Sequence, residues 1–555
     1  MVRGWRFLGS SAMGNDRRLW GVSICGAGLL AGLSLAPLGL PPLLWPALAL
    51  LWALAGSPPP GLGRGRWPLL AAGLWGLVAV LVSHRWLLWL HPLDWIGVPP
   101  PLSLPICLAL WLGCGLLGGA LVALWLALIR RLDASRFSTA LIGSLLWGLA
   151  EVQLARGPLF WFGLGSSALP GDRLLAGVAA LAGAGAVAAL QLLIAWCLWR
   201  ALVPIPGRRR WLLAGLALVA AAHLAGASAL AAIAPQAGAT ERLLVLQPAI
   251  PTRHKFEPRQ QQALLRFLAA AQRRTATAAS HGEGSAGSTG LGRDDLKASA
   301  EAGVLQGAAA AAASVPQELV PQDTAMGGVS SLVLPEGSLA LGQPLPEVAG
   351  VEVLSGGFRQ QGEGQRSSLL RFDPGQRLAS GWVDKHRLVP LGEWVPLSGL
   401  WRWGGLSAVG GLEPGPASRL LARPAGPVAV AICYELSDGA ALAAASRAGA
   451  GWLLASANLD PYPLLLQQQF KALAQLRAIE TGRWLVSAAN TGPSMLIDAR
   501  GRLRDQLPPG LRRSGLMQLQ RLSALTPYAR WGEWPLLLLF GAALSARWFE
   551  RRPLR

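Results

Sequence analysis

Three residues spaced through the second half of the chain, Glu336, Lys385 and Cys433, bring together a carboxylate, an ammonium and a thiol. A cysteine attacks a carbonyl as its thiolate. It therefore needs a group to take its proton, and a cation or N–H donors to hold the oxyanion that forms. Glu336 is suited to the first task and Lys385 to the second. The backbone N–H of Tyr434, directly after the thiol, is a further oxyanion donor; Glu393 lies on the same loop as the lysine and can orient it, and Glu435 follows just beyond the thiol. Taken singly, a strand-end cysteine is usually core and a loop Glu or Lys is usually a solvated charge. The case for chemistry rests on their joint placement.

That placement depends on strand ends. Val428 to Ile432 reads as a buried parallel strand that deposits Cys433 at its C-terminal edge, and Glu336 closes the similar run Ser331 to Pro335. Lys385 opens the polar stretch Lys385 to Glu393. Open α/β sheets put their chemistry at such edges. Further strand-like runs at Leu243–Leu246, Trp452–Ala455 and Leu485–Ala488, with helical patterns over 258–274 and 467–482, predict a layered α/β domain over 235–530. Between 275 and 328 the pattern dissolves into Ala, Gly, Ser and Thr without Phe, Trp or Tyr. This composition predicts a disordered surface insertion that is dispensable for chemistry, although the run Ala308 to Ala313 also suits a short helix.

The rest of the chain is too apolar for an ordinary soluble enzyme. Of its 555 residues 52% are hydrophobic and 14% charged, and 25 are Trp. Apolar windows near 20–38, 40–56, 67–86, 103–129, 138–155, 174–202, 211–233 and 531–549 predict a polytopic helical membrane region of about eight spans, seven within 1–234 and the last in 531–555. The Pro-rich joint at Pro37, Pro41 and Pro42 also allows a re-entrant hairpin. The formal charge of +20 comes from arginines at the ends of apolar segments rather than along one face, which argues for the positive-inside rule over nucleic acid. Both termini are then cytoplasmic and the α/β domain lies outside. No cleavable signal peptide is evident, so the first span is expected to stay as an anchor. Cys25, Cys107, Cys114 and Cys197 fall in apolar windows, leaving Cys433 as the one thiol of the external segment. Glu151, within a window, needs a partner, and Arg156 is the expected mate, in a structural pair or beside a polar cavity.

The chain resembles the carbon–nitrogen hydrolase (nitrilase) superfamily and, within it, the apolipoprotein N-acyltransferase family. The segments that carry the likeness are Leu246 to Pro251, Pro335-Glu336, Lys385 to Pro396, Ile432-Cys433-Tyr434-Glu435, Arg477 to Arg483, Asn490-Thr491-Gly492 and Thr526 to Gly532. The resemblance extends over nearly the whole chain, because that family also sets its nitrilase-like domain between the seventh and eighth spans. It implies an αββα sandwich, a Glu336 base, a Lys385 cation and a Cys433 nucleophile, with Glu393 and Glu435 as supporting acids and Tyr434 beside them. Phe256 and Trp394 are the substrate-binding candidates. Phe256 stands where a Trp is usual, Val383 where a Tyr often precedes the lysine by two, Asn458 to Pro463 replaces the usual Asn-Asp-Ala-Trp-Phe-Gly, and Gln469-Phe470 replaces a Gln-His pair.

The implied activity is acyl transfer from a membrane phospholipid, through a thioester, to the N-terminal amine of a diacylglyceryl-cysteine on an apolipoprotein. No cofactor or metal is called for, and a monomer in the plasma (inner) membrane with a periplasmic catalytic domain is expected. Two alternatives remain at this level: a membrane-tethered amidase acting on a small soluble substrate, and a catalytically silent lipoprotein-binding scaffold. Tethering favours transfer, because lipid-anchored substrates then meet the site in two dimensions. The apolar loop Leu397 to Trp401 suits either dipping into the interface or capping the domain core.

Overall fold

The computed structural model describes residues 17–58, 65–94, 98–233, 239–255, 257–282, 328–390, 392–394 and 411–551. The apolar windows fold as helices α1 (Arg17–Leu33), α2 (Pro41–Gly56), α3 (Trp67–Ser83), α4 (Pro100–Leu132) and α5 (Phe137–Arg156). A single turn α6 (Arg173–Ala176) leads to α7 (Ala179–Leu202) and α8 (Arg208–Ala232). Proline opens α2, α3 and α4, where its missing N–H costs nothing and its fixed φ suits the first turn. By length and composition four of them, α4, α5, α7 and α8, can cross a membrane. The expected count of eight is therefore not reached on that criterion. Helices α1 to α3 and the apolar helix Trp534–Phe549 have 16 or 17 residues. At 1.5 Å per residue they reach roughly 24–26 Å, short of a hydrocarbon core of about 30 Å.

The globular part is a four-layer stack of two six-stranded sheets between helices. Strands β1 (Thr240–Gln247), β2 (Ser331–Leu339), β3 (Glu352–Gln361), β4 (Gly364–Phe372) and β5 (Gly381–Asp384) share one sheet with β12 (Arg513–Gln520), in the order β12-β1-β2-β3-β4-β5. The other sheet runs β11-β10-β9-β8-β7-β6, from β6 (Leu420–Leu421), β7 (Val428–Ile432), β8 (Leu453–Ala457), β9 (Leu485–Ala489), β10 (Met495–Ile497) and β11 (Leu503–Gln506). Each sheet has a parallel centre, β1-β2-β3 or β7-β8-β9, and antiparallel flanks.

Side-chain alternation assigns the layers. Leu243 and Val245 of β1 face Val430 and Ile432 of β7 in the core between the sheets. The alternate residues Leu244 and Leu246 pack under Leu264 and Leu268 of α9 (Pro258–Gly282). On the far side Ala429 and Ala431 lie under Leu442 of α10 (Gly439–Arg447) and Phe470 of α11 (Leu464–Thr481). The expected insertion begins differently from its prediction, because 275–282 continue α9 as helix; the remainder of that expectation, over 283–327, lies outside the described residues.

The globular part sits on the helical part through a buried polar joint built around α12 (Pro527–Trp531), which leads into α13 (Trp534–Phe549). Arg156 does not pair with Glu151; the two instead line one small polar cavity, the other arrangement expected of them. Arg156 reaches Glu533 at 2.7 Å and Asp438 at 3.8 Å, while Glu151 accepts from the Trp147 indole and the Leu164 N–H, both at 2.8 Å. The helical end of α5 thus directs its guanidinium outward to the globular domain. A kink in α7 at Gly183 (φ +78°) makes room for Tyr528, since a Cβ there would lie 2.5 Å from that ring. Glu480 of α11 accepts from the Ala184 N–H at 2.8 Å and pairs with Arg477 at 2.9 Å.

Burial raises the Glu480 carboxyl to about 7, with Arg477 and the Ala184 N–H offsetting only part of the effect. A folded-state value above the unfolded one means that the folded protein holds more protons in the interval, so this group costs stability as pH climbs from about 4.5 to about 7. Glu480→Gln is expected to remove that decline. Thermal midpoints of wild type and variant in detergent should converge at the acid end and separate as pH rises; parallel curves throughout the window would show that the joint does not titrate.

Candidate active site

The thiol is placed by a strained turn. Strand β7 ends at Ile432, and Cys433 adopts φ +55°, a left-handed conformation that L-residues reach at a cost of about 1–3 kcal/mol, before a short 3₁₀ turn over Cys433–Ser437. Glu435 holds the turn in place. One of its carboxylate oxygens accepts from the Ile432 N–H at 2.9 Å; the other accepts from the His386 and Arg387 N–H groups at 2.8 and 3.1 Å. Arg419 donates to both oxygens at 2.9 Å and to the Asp384 carbonyl at 2.7 Å. This buried carboxylate therefore locks the end of β7 to the start of the Lys385 loop. Its role is to position, and it does not line the cavity described below.

Lys385 follows β5 directly, and its N–H donates to Ser367 of β4 at 2.8 Å. Its ammonium, with the residue 1% exposed, bridges Glu336 Oε1 at 2.8 Å and Glu393 Oε1 at 2.6 Å. The second oxygens are also held: Glu336 Oε2 accepts from the Asn458 N–H at 3.0 Å and Glu393 Oε2 from the Val389 N–H at 2.9 Å. Burial opposes the charge on Lys385, but the two carboxylates outweigh it and hold the ammonium well above the ordinary lysine range. Burial pushes Glu393 up, as does Glu336, against the pull of Lys385. The Cys433 thiol is raised far above its usual value by burial and by Glu336, and Lys385 and the Tyr434 N–H beside the sulfur only partly counter this. The sulfur is thus held as a thiol.

Glu336, Lys385, Glu393 and Cys433 line one cavity of about 670 Å³. Its wall includes Asp94, from the connection between α3 and α4, which pairs with Arg253 at 2.9 Å. The sequence reading thus brought together the four groups that meet. Tyr434 contributes its backbone, while its hydroxyl donates to the Leu388 carbonyl at 2.8 Å and its ring stacks under the Arg387 guanidinium at 4.6 Å. Trp394 is not among the lining residues; its N–H closes a turn on Val389 and its side chain is 46% exposed. Phe256 and the loop Leu397 to Trp401 lie outside the described residues.

Three contributors escaped the sequence reading. Lys255 donates to the Glu336 carbonyl at 2.8 Å, and burial draws its ammonium down to about 8 despite Glu336 and Asp460 nearby. Asn458 links Glu336 to Thr252 and Asn490 through side-chain bonds of 2.9 Å each, and Tyr462 closes the wall. Lys255 lies beside the Leu246 to Pro251 segment and Asn458 and Tyr462 within the divergent 458–463 stretch, so those flanks were the available signal. Arg419, by contrast, lies in a loop with no motif around it.

Because Arg419 and Glu435 are both 3% exposed at the side chain, removing one partner leaves a buried charge unmatched. Arg419→Ala is expected to cost about 3–5 kcal/mol and to release the Lys385 loop, measured as a lowered unfolding midpoint together with loss of the fixed bond pattern at His386 in hydrogen exchange. Retention of both wild-type properties would remove Glu435 from its positioning role.

The carbon-nitrogen hydrolase family profile matches residues 349–510, a span that holds Lys385, Glu393 and Cys433 and begins after Glu336. An apolipoprotein N-acyltransferase of Prochlorococcus marinus strain MIT 9313 is 47% identical over 546 residues, covering 95% of this chain and 96% of its own. Those of Prochlorococcus marinus strain SARG and Parasynechococcus marenigrum strain WH8102 are 43% and 45% identical over 92% and 91% of this chain and 93% and 95% of theirs. With a buried Lys385 bridging two carboxylates beside a strained cysteine, and relatives of this closeness along nearly the full length, the chain belongs to the apolipoprotein N-acyltransferase family.

Proposed function

We propose that this protein transfers a fatty acyl chain from a membrane phospholipid to the N-terminal amine of a diacylglyceryl-cysteine on an apolipoprotein, through a thioester on Cys433. The observation that carries the chemistry is the Lys385 ammonium held between Glu336 and Glu393 in the cavity that Cys433 lines. Glu336 takes the thiol proton as the sulfur attacks the ester carbonyl. Lys385 and the Tyr434 N–H hold the oxyanion. Collapse breaks the ester C–O bond, and the proton on Glu336 passes to the departing lysophospholipid oxygen. In the second half the amine attacks the thioester, Glu336 takes a proton from the nitrogen, and collapse of the oxyanion returns the sulfur as a thiol. Membership of the family supports the substrates, and the presence of Asp94 in the cavity wall supports access from the helical side.

The same reading places the protein as a multi-pass, monomeric protein of the plasma membrane, with 1–234 and 531–555 as its membrane parts and 235–530 outside. Its support is the arrangement of arginines. Arg547 donates to the Leu132 carbonyl at the end of α4, Arg136 at the start of α5 reaches Glu550, and Arg130 donates to the Leu54 carbonyl. These cations gather at the helix ends remote from the globular domain, as the positive-inside rule expects of a cytoplasmic face. The short helices α1 to α3 and α13 fit a bundle around which local thinning of the bilayer and snorkelling of flanking residues accommodate length.

Intact-protein mass spectrometry after exposure to phospholipid is expected to show one acyl adduct on wild type, discharged by a diacylglyceryl lipopeptide. Cys433→Ala should carry none, and Glu336→Ala should form none on the kinetic timescale. An adduct on Cys433→Ala, or hydrolysis of short soluble amides without any lipid requirement, would contradict the proposal, the latter in favour of an amidase.

A further inference from the structure

A second cleft, of about 430 Å³, opens at the foot of the globular domain and shares no lining residue with the active-site cavity. Three arginines line it: Arg447 from the last turn of α10, Arg483 before β9, and Arg521 after β12. Arg483 is 1% exposed and donates to the carbonyls of Ala450 at 2.8 Å and Ser523 at 3.1 Å; among the described residues no carboxylate pairs with it. Carbonyls satisfy N–H groups but leave the charge uncompensated, and a buried unpaired charge is costly. Burial draws Arg483 down to about 10, still cationic at neutral pH. Arg447 is exposed and donates to the Ala529 carbonyl at 2.7 Å, also without a carboxylate partner among the described residues. Arg521 approaches Glu241 at 3.4 Å, but that carboxylate is engaged more closely by Arg423 at 3.0 Å. The cleft thus holds more positive charge than its own carboxylates neutralise.

Its location is equally specific. Ala239, on its wall, follows the end of α8 by seven residues, and Leu525 precedes α13 by nine. Each connection to the apolar helices therefore contributes a residue to the cleft wall. Trp531 and Trp534, 53% and 66% exposed, flank the second connection, where amphipathic rings favour the headgroup level of a bilayer.

We propose that this cleft is a phosphate-binding site placed for the headgroup of a bilayer lipid, with Arg447 and Arg521 as donors to the phosphate oxygens and Arg483 as the buried charge beneath them. Guanidinium forks suit phosphate geometry, and occupancy would compensate the charge that the fold leaves unmatched. The lipid source rests on the membrane reading above; the phosphate chemistry does not. Bound lipid here would hold the foot of the domain to the membrane surface without entering the reaction.

The test uses the full chain in detergent on a Cys433→Ala background, so that no acyl transfer can intervene and failure of the catalytic reading leaves the result untouched. Native mass spectrometry with phosphatidylglycerol should show a retained lipid, and diacylglycerol with the same chains should not be retained. Arg447→Ala/Arg521→Ala should weaken retention about tenfold or more, the loss expected for charge-assisted hydrogen bonds, while Arg447→Lys loses less. Displacement of the lipid by inorganic phosphate at matched concentration would support the phosphate site and assign its source to the soluble anion. Equal retention of diacylglycerol, or unchanged retention in a folded double variant, would overturn the proposal.

Discussion

A single buried ammonium organises this protein's chemistry. Lys385 cannot sit 1% exposed without counter-charges, and Glu336 and Glu393 supply them at 2.8 and 2.6 Å. Burial, reinforced by Glu336, outweighs the pull of the Lys385 ammonium on the neighbouring sulfur, which is why the thiol rests protonated. For the acyl transfer proposed above, the arrangement implies an order of events: the sulfur gives up its proton as it attacks, and the negative charge then moves onto the oxyanion beside the lysine. A permanently ionised thiolate in the same place would repel the carboxylates and remain exposed to adventitious electrophiles.

The fold exists, in functional terms, to make three chain segments meet at that cation. Strand β2 brings Glu336, β5 brings Lys385, and β7 from the other sheet brings Cys433. The two sheets are joined across this rim by Glu435 and Arg419, which tie the end of β7 to Asp384, His386 and Arg387. Arg387 extends the linkage to the helical region through Gly157, and Ser437 through the Ala155 carbonyl at 2.8 Å. The turn that carries Cys433 is thus bonded directly to the C-terminal end of α5, and the candidate active site and the apolar helices form one structural unit.

Much of this was legible from residue order, for a physical reason. Apolar runs that end in a single polar residue mark buried parallel strands and their functional edges, so β7 coincides with the run Val428 to Ile432 and the residues at its end could be named. The hairpin β3-β4 was not legible, because its outer half, Arg359 to Gln361 and Gly364 to Arg366, is polar and carries no alternation. Arg419 was invisible because its importance comes from burial against distant segments, and Lys255 was marked only by the motif beside it. Glu151 and Arg156 show the same limit: they share a helix, yet Arg156 pairs with the distant Glu533 while Glu151 is held by Trp147 one turn back and by the Leu164 N–H, five residues of spacing setting them on different faces. Hydropathy located the apolar helices, but its windows overran three of them, past Leu33 of α1, past Ser83 of α3 and ahead of Trp534 of α13.

The central claim is that Lys385 stabilises the oxyanion formed on Cys433 while being held by its carboxylates. It is tested most directly by the single-turnover rate at which a phospholipid acylates Cys433 in Lys385→Met, compared with wild type and with Glu393→Gln. The account predicts a loss of about 10²–10³-fold for Lys385→Met, the scale of one oxyanion donor, in a protein that stays folded, and a smaller loss for Glu393→Gln. Acylation of Lys385→Met at the wild-type rate would contradict it.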